Sequence, residues 1–245
     1  MLIDHSIIAL VIFLVAGFMQ GVIGFGFSML SVPLLMLFLP PPTAVGINLI
    51  AASVNTLLIF WTMRRRVQYR LVLRYILVCA VTIPFGVFFL THVDKRTVMI
   101  VLGCTILAIT LFSMVFRDKQ LPFFQHTSFG IGAAATSGVL AGAFTVPGPP
   151  MIVYLYNVES DKMQAKADIQ FYFSAINFVI LPFYIADGFI DGEVALSGLA
   201  VAPLIVLASW LGVHVGHRLP KKLFANLANA FLLVLGVFII VKHWV

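Results

Sequence analysis

The stretch GFMQGVIGFGFSMLSVP at residues 17–33 is as apolar as a membrane helix, yet glycines interrupt it. A second interrupted stretch, GVLAGAFTVPGPPMIVY, occupies residues 138–154. A shift of 121 residues aligns Gly17 with Gly138, Gly21 with Gly142, and residues 24–26 with residues 145–147. Such a pair of Gly/Pro-interrupted apolar segments in corresponding halves of a membrane chain is typical of a transporter's binding site.

The rest of the chain is apolar to the degree expected of a membrane protein. Of its 245 residues, 62% are hydrophobic and 10% are charged, whereas about a quarter of the residues of a soluble domain are charged. Apolar runs of about 20 residues recur, each long enough to cross a hydrocarbon core of about 30 Å. The runs lack a period of two and are too long for barrel strands. We therefore predict an all-α integral membrane protein.

The composition also argues against several functions. The net charge of +6 is carried by short loops between apolar runs, so we expect no nucleic-acid partner. We expect neither an ATPase nor another enzyme, and no cofactor or metal, because the apolar segments carry no catalytic or metal-binding motif. Cys79 and Cys104 lie far apart and are expected to be packing residues. The start, MLIDHS, lacks the basic region of a signal peptide, so we expect the first segment to be retained.

The apolar runs form two similar halves. The first repeat, residues 1–117, is predicted to hold a broken unit at 6–39 and helices at 43–62, 70–91 and 96–116. A polar connector, 118–125, leads to the second repeat, residues 126–245, with a broken unit at 126–157 and helices at 163–186, 193–216 and 222–243. The alignment continues at shifts of 122 to 126 residues, pairing Asn55 with Asn177, Gly86 with Gly212, and residues 94–96 with 220–222. These pairs indicate a duplication.

The distribution of Lys and Arg indicates how the broken units cross the membrane, because cytoplasmic loops collect these residues. If each broken unit crosses, giving eight passes, the fifteen Lys and Arg divide eight to seven. If each unit is a re-entrant hairpin, they divide twelve to three, with Lys95, Arg96 and Lys242 outside. The cytoplasmic set is then Arg64, Arg65, Arg66, Arg70, Arg74, Arg117, Lys119, Lys162, Lys166, Arg218, Lys221 and Lys222. We therefore predict hairpins.

The hairpin topology inverts the second repeat relative to the first, because a hairpin plus three spans crosses the membrane an odd number of times. We expect the hairpins to enter from opposite sides, with their tips together near the bilayer midplane, which suits alternating access. Both termini, and the acidic loop containing Asp187, Asp191 and Glu193, are then outside. We predict a multi-pass protein of the bacterial inner membrane with periplasmic termini.

The tips favour an anionic ligand. Non-helical backbone at membrane depth survives only where it is buried in protein or lines a cavity. Glycines allow the turn, Ser28 is predicted to cap the returning half-helix, and Pro149 and Pro150 suit a first helical turn. Free N–H groups and positive dipole ends then face the tips. The predicted substrate-binding residues are Gly21, Gly24, Phe25, Gly26, Phe27, Ser28, Asn55, Gly142, Thr145, Pro147, Gly148, Pro149, Pro150 and Asn177.

Few polar residues lie deep in the other helices. They are Asn48, Ser53, Asn55 and Thr56 in the first repeat and Gln170, Tyr172, Ser174 and Asn177 in the second. Asn55 and Asn177 occupy equivalent places, where they support the tips, face the substrate or bond to neighbouring helices. Asp168 is the acid nearest to the membrane and the candidate for energy coupling; an interfacial position is the alternative.

These residues resemble the TauE/SafE family of sulfite and organosulfonate exporters, also called TSUP. The likeness rests on GVIGFGFSMLSVPLLM at 21–36 and AVGINLIAASVNTLLIFW at 44–61, with a weaker copy at 138–156. The second tip departs from the family's glycine-rich pattern. The resemblance implies export of a small sulfur-containing anion such as sulfite, sulfoacetate or a related sulfonate or carboxylate, in agreement with the sign favoured by the half-helix dipoles.

Our interpretation of the sequence is a secondary anion transporter whose substrate binds between the two tips. Two alternatives stay open. A channel or a cation-coupled uptake carrier is one, because the carbonyl ends of the first half-helices face the same tips. A membrane scaffold whose tips are only packing turns is the other. The expected partners are the lipid bilayer and a small anion, and the oligomeric state is left open.

Overall fold

A computed structural model describes residues 2–116, 121–159, 161–216 and 221–244, without the side chains of 2–6 and 221–225. Within these ranges the regular elements are all helices and no strand occurs. Seven of the described helices are long and apolar enough to span a membrane. The all-helical, multi-pass membrane class predicted from the sequence is therefore confirmed.

The helix positions agree with the sequence prediction to within a few residues, apart from the start of the first helix. In chain order they are α1 (Leu2–Ile23), α2 (Phe27–Met36), α3 (Pro41–Met63), α4 (Tyr69–His92), α5 (Lys95–Phe116), α6 (Pro122–Gln125), α7 (Thr127–Phe144), α8 (Pro149–Val158), α9 (Lys162–Ala186), α10 (Gly192–Gly216) and α11 (Lys221–Trp244), with a 3₁₀ turn at Arg64–Arg66. Both broken units are interrupted where the glycines and prolines indicate. Residues 118–120 of the predicted connector, and Arg117, Lys119 and Arg218 of the cytoplasmic set, lie outside the described residues.

The chain divides into two compact units. Unit 1 comprises the described residues of Met1–Asn55, Val93–Thr110 and Phe189–Val245, and unit 2 those of Thr56–His92 and Leu111–Gly188. Each unit therefore combines the hairpin of one sequence repeat with helices of the other. The repeat boundaries concern the duplication in the sequence and stay a prediction.

In unit 1, α1 packs along α10 through small residues. A Cβ atom on Gly21 would collide with the Ser209 carbonyl oxygen, and one on Gly212 with that of Phe18. The Ser209 hydroxyl donates a hydrogen bond of 2.9 Å to the Gly17 carbonyl. Small residues allow this close approach, which is how membrane helices gain van der Waals contact.

In unit 2, α7 packs along α4 in a similar way. A Cβ atom on Gly138 would collide with the Cys79 carbonyl oxygen, and one on Gly142 with that of Ile83. Gly86 of α4 lies equally close to the α7 backbone. We call α1 and α7, the first long helices of the two hairpins, their stems. The two stems are therefore held by the same kind of backbone contact.

The contacting glycines are those that align in the sequence. Gly21 of α1 meets Gly212 of α10, and Gly142 of α7 lies against Gly86 of α4. The hairpin of each repeat thus contacts a helix of the other repeat. This pattern fits a duplication, whereas the inverted relation of the halves stays a prediction.

Each broken unit folds back on itself. In unit 1 the Phe13 ring of α1 stacks on the Phe27 ring of α2, with centroids 5.7 Å apart. In unit 2 the Leu121 N–H, just before α6, donates a hydrogen bond of 3.1 Å to Asn157 Oδ1 near the end of α8. The start and end of the second broken unit therefore lie together, as in a hairpin.

Contacts at this end of unit 2 bear on the topology. Arg66 forms an ion pair of 3.7 Å with Asp161, and the Gln68 N–H donates to Asp168 Oδ1 at 2.7 Å. The loop after α3 and the start of α9 are therefore at one end of the unit. An eight-pass topology places Arg66 and Lys162 on opposite sides of the membrane, so these contacts favour the hairpin.

Candidate functional site

The first tip, residues 24–26 in unit 1, turns through two glycines in the left-handed region. Gly24 has φ +98° and Gly26 has φ +101°, values that L-residues with a Cβ rarely adopt. The Gly24 N–H donates to the Gln20 carbonyl at 2.6 Å, which ends α1. Phe25 and Gly26 are partly exposed, so the turn leaves backbone accessible.

The first turn of α2 presents unpaired backbone donors at this tip. The first ladder bond of α2 runs from the Leu30 N–H to the Gly26 carbonyl at 3.2 Å. The four preceding N–H groups, from Gly26 to Met29, have no partner within the helix. No acidic residue occupies this turn and no side chain caps it, and a Cβ atom on Gly26 would meet nothing within 4 Å. The geometry suits an anion.

The prediction that Ser28 caps α2 is wrong, because Gly26 is the N-cap and Ser28 is the second helical residue. The Ser28 hydroxyl instead accepts a hydrogen bond of 2.9 Å from Asn48 Nδ2. The Asn48 Oδ1 accepts one of 2.6 Å from Ser31. Asn48 is fully buried, so α3 fixes the first turn of α2. The sequence identifies Asn48 as a deep polar residue, but no sequence pattern assigns it to the site.

Asn55 braces the first hairpin. Its Nδ2 donates a hydrogen bond of 2.7 Å to Gln20 Oε1, and both side chains are buried. Gln20 is also the residue whose carbonyl holds Gly24. Sequence reasoning missed Gln20, although it is the one amide side chain in the stretch at 17–33. Asn55 therefore supports the tip.

The second tip, residues 145–148 in unit 2, is more strained. Thr145 follows α7 with φ +53° and, among the described residues, is the one non-glycine residue with positive φ. A β-branched residue in this region is an outlier, and such strain is typical of functional sites. Thr145 aligns with Gly24, which also has positive φ. The same left-handed turn thus follows the stem helix in both hairpins.

Side chains from unit 2 hold the second tip. The Ser137 hydroxyl donates to the Pro147 carbonyl. The Tyr184 hydroxyl donates to the Gly142 carbonyl at 2.9 Å. Residues 141–149 are all buried, in contrast to the partly exposed first tip.

The second tip offers fewer backbone donors. Helix α8 begins with Pro149 and Pro150, which have no N–H, and its first ladder bond joins the Ile152 N–H to the Gly148 carbonyl at 3.2 Å. The unpaired donors of this helix start are therefore Gly148 and Met151.

Several predicted site residues have structural contacts instead of an open position. Gly21 and Gly142 face neighbouring helices, and Phe27 is buried against Phe13. Asn177 Nδ2 donates to Thr56 Oγ1 of α3 at 3.3 Å. A direct role in binding stays a prediction for these four residues.

Asp168 is fully buried at the end of unit 2 that holds Gln68. The Gln68 backbone N–H donates to Asp168 Oδ1, and Gln68 Nε2 donates to Glu159 Oε2 at 3.0 Å. The Asp168 Oδ2 atom has no hydrogen-bond partner in the described part of the chain. The charged residues on the surrounding elements are Arg64, Arg65, Arg66, Arg70, Arg74, Glu159, Asp161, Lys162 and Lys166.

The connection between α8 and α9 carries a perturbed acid. Burial raises the pKa of the Glu159 carboxyl above its ordinary value, and the nearby Asp161 carboxylate adds to the shift. Asp161 itself caps α9, because its Oδ1 accepts a hydrogen bond of 2.8 Å from the Met163 N–H. Among the described residues, no group of three or more His, Cys, Asp or Glu is arranged to hold a metal ion.

Comparison with models of known protein families gives a match over nearly the whole chain. A family model described as "Sulfite exporter TauE/SafE" matches residues 9–239, nearly the whole chain. No curated protein and no solved structure matches the chain significantly.

Proposed function

The chain belongs to the TauE/SafE sulfite exporter family, and we propose that it exports a small sulfur-containing anion such as sulfite or sulfoacetate. Membership of this family implies a membrane transporter of sulfite or a related anion. The specific substrate, the export direction and the alternating-access cycle belong to our proposal, as do the bacterial inner membrane and the periplasmic termini.

The open start of α2 is the observation that carries the proposal. Four N–H groups from Gly26 to Met29 lack partners within the helix, and they lie at the positive end of the helix dipole. The turn holds no acidic residue. An oxyanion with several acceptor oxygens matches such a set of donors, as sulfate and phosphate groups do at other helix starts.

We assign the binding roles by hairpin. In the first hairpin the binding residues are Gly24, Phe25 and Gly26 of the tip and Ser28 in the first turn of α2, and Asn55 supports the tip. In the second hairpin they are Thr145, Pro147 and Gly148 of the tip and Pro149 and Pro150 at the start of α8. Neutral donors bind an anion without a buried Lys or Arg, so release to the other side of the membrane is not opposed by a strong ion pair.

Asp168 is our proposed coupling residue. Ionisable groups inside membrane segments are functional candidates by default, and its Oδ2 has no partner among the described residues. Asp168→Asn keeps an acceptor for the Gln68 N–H but removes the titratable group. We expect this variant to exchange substrate across the membrane while losing the pH dependence of net transport.

Counterflow in proteoliposomes tests the function. Labelled sulfite, sulfoacetate, sulfate and small carboxylates are exchanged, and we expect uptake of a sulfur anion without any metal-cation requirement. Gly26→Leu is expected to abolish exchange, because a Cβ at φ +101° strains the tip. Gly132→Leu is the control, since Gly132 has open space around its Cβ direction. A strict requirement for a metal cation would favour the cation-coupled carrier. Normal exchange by Gly26→Leu would contradict the proposed binding site.

Accessibility labelling tests the topology. In a Cys104→Ser background, which removes the exposed cysteine and keeps buried Cys79, single cysteines are introduced at Lys162 and Glu193. The hairpin topology predicts labelling of the first only from the cytoplasm and of the second only from outside. Labelling of Lys162→Cys from outside would contradict the hairpins.

A further inference from the structure

A buried hydroxyl beside the second tip has no role in the contacts that form the tip. Tyr172 of α9 is fully buried, and its Oη has no hydrogen-bond partner among the described residues. A buried polar atom without a partner costs free energy, and each such atom in a folded protein needs an explanation.

The neighbours of this hydroxyl connect it to the second tip. The Tyr172 hydroxyl lies near the Ser137 hydroxyl of α7 and the Cys79 thiol of α4, without hydrogen-bond geometry to either. The Ser137 hydroxyl donates a hydrogen bond to the Pro147 carbonyl. Pro147 directly precedes Gly148, the N-cap of α8. The Tyr172 hydroxyl is therefore one side chain away from the backbone where α8 begins.

The other buried tyrosines of unit 2 differ from Tyr172. The Tyr184 hydroxyl donates to the Gly142 carbonyl at 2.9 Å, and the hydroxyls of Tyr75 and Tyr154 share a hydrogen bond. A purely structural tyrosine in this unit thus has a partner. Tyr172 has the same burial without one.

We propose that Tyr172 is an anion-binding residue whose O–H donates to an oxygen of a sulfite or sulfonate group at the start of α8. Pro149 and Pro150 remove two backbone donors from this helix start, and the hydroxyl adds one beside the N–H groups of Gly148 and Met151. This assignment rests on the proposed function and extends it, because it names a side chain that recognises the substrate.

Tyr172→Phe removes the oxygen and leaves the ring in place. In counterflow with labelled sulfite we expect the apparent KM to rise about tenfold, the loss expected for a hydrogen bond to a charged group. The thermal midpoint of the protein without substrate should stay equal or rise, since an unpaired hydroxyl is removed. Added sulfite should raise the midpoint of the wild type but raise that of Tyr172→Phe much less.

Tyr75→Phe is the matched control, because the buried Tyr75 hydroxyl shares a hydrogen bond with Tyr154 of α8 and takes no part in holding the tip. It removes a hydroxyl that has a partner, so we expect a lower thermal midpoint with an unchanged KM. A KM for Tyr172→Phe within twofold of the wild type, or a lower midpoint like that of the control, overturns the inference. If the wild type neither transports sulfite nor is stabilised by it, or by the sulfonates and carboxylates, the proposed function itself fails, and the inference fails with it.

Discussion

The first hairpin turns through two glycines and leaves its tip partly exposed, whereas the second turns through Thr145, leads into a helix that begins with two prolines, and is buried at its tip. Their stems, by contrast, share aligned glycines with equally close helix contacts. At the start of its second helix, the first hairpin has four N–H groups without a partner in that helix, and the second hairpin has two. The two hairpins thus agree in how their first helices pack and differ at their tips.

This difference separates two kinds of glycine that look alike in the sequence. Gly21 and Gly142 are required by the close approach of backbones. Gly24 and Gly26 are required by a positive φ. Substitutions at the first pair should therefore damage folding, and those at the second pair should damage the site more than the fold.

The largest effect is expected at the shared stems. Gly21→Ala and Gly142→Ala each place a methyl group on a facing backbone carbonyl, and overpacking of this kind costs about 1–3 kcal/mol or more. The free energy of unfolding, measured in mixed micelles, should fall by a similar amount in both variants. Gly132→Ala, in open space on the same helix as Gly142, should gain about 0.5–1 kcal/mol. Unequal losses at Gly21 and Gly142 would show that the stems are not alike.

The next effect separates the two aligned asparagines. Asn55→Ala leaves the buried Gln20 Oε1 without its donor, at a cost of about 1–3 kcal/mol. Asn177→Ala breaks a longer bond of 3.3 Å to Thr56, for which we expect about 1 kcal/mol or less. For both variants we would measure the free energy of unfolding and the KM for sulfite. If Asn177→Ala raises KM more than Asn55→Ala, the asparagine that acts at a tip is the second one.

The sequence was sufficient to predict the helices and the two breaks. Apolar runs of membrane length and the Gly/Pro interruptions act locally, so they are readable residue by residue. The N-cap residue and the side-chain hydrogen bonds at the tips are not readable in this way. Whether Gly26 or Ser28 is the N-cap is a matter of one or two residues at a helix end, and the Asn48 partner of Ser28 comes from another helix.

Long-range contacts explain the rest of what was missed. The Gln20–Asn55 pair joins residues 35 positions apart, and no pattern in either segment identifies the partner. The combination of α1 with α10, and of α4 with α7, links opposite halves of the chain. The packing role of Gly21 and Gly142 follows from those contacts, so the sequence alone placed them in the binding site.

A third test compares the glycines of the two tips. Gly26→Ala forces an L-residue into φ +101°, at a cost of about 1–2 kcal/mol. Gly148 has a negative φ of −75°, although its ψ of −100° lies outside the main allowed regions, and its Cβ would make only an ordinary contact of 3.9 Å with Val146. Sulfite counterflow should therefore fall more in Gly26→Ala than in Gly148→Ala. Equal loss in both variants would mean that the second tip is as constrained as the first.

The smallest expected effect concerns the bases of the hairpins, the residues that directly follow α2 and α8. Here Glu159 of the second hairpin aligns with the apolar Leu37 of the first at a shift of 122 residues. The raised pKa of Glu159 means that the folded protein holds this proton to a higher pH than the unfolded chain. Its contribution to stability is therefore present at acid pH and is lost as the pH rises through the folded pKa. Glu159→Gln stays neutral and keeps an acceptor for Gln68 Nε2. Thermal midpoints are measured from acid to neutral pH. The midpoint of Glu159→Gln should rise relative to that of the wild type until the pH passes the folded pKa of Glu159, and the difference should then stay constant. A difference that shrinks over this range would contradict the burial of this acid at the base of the second hairpin.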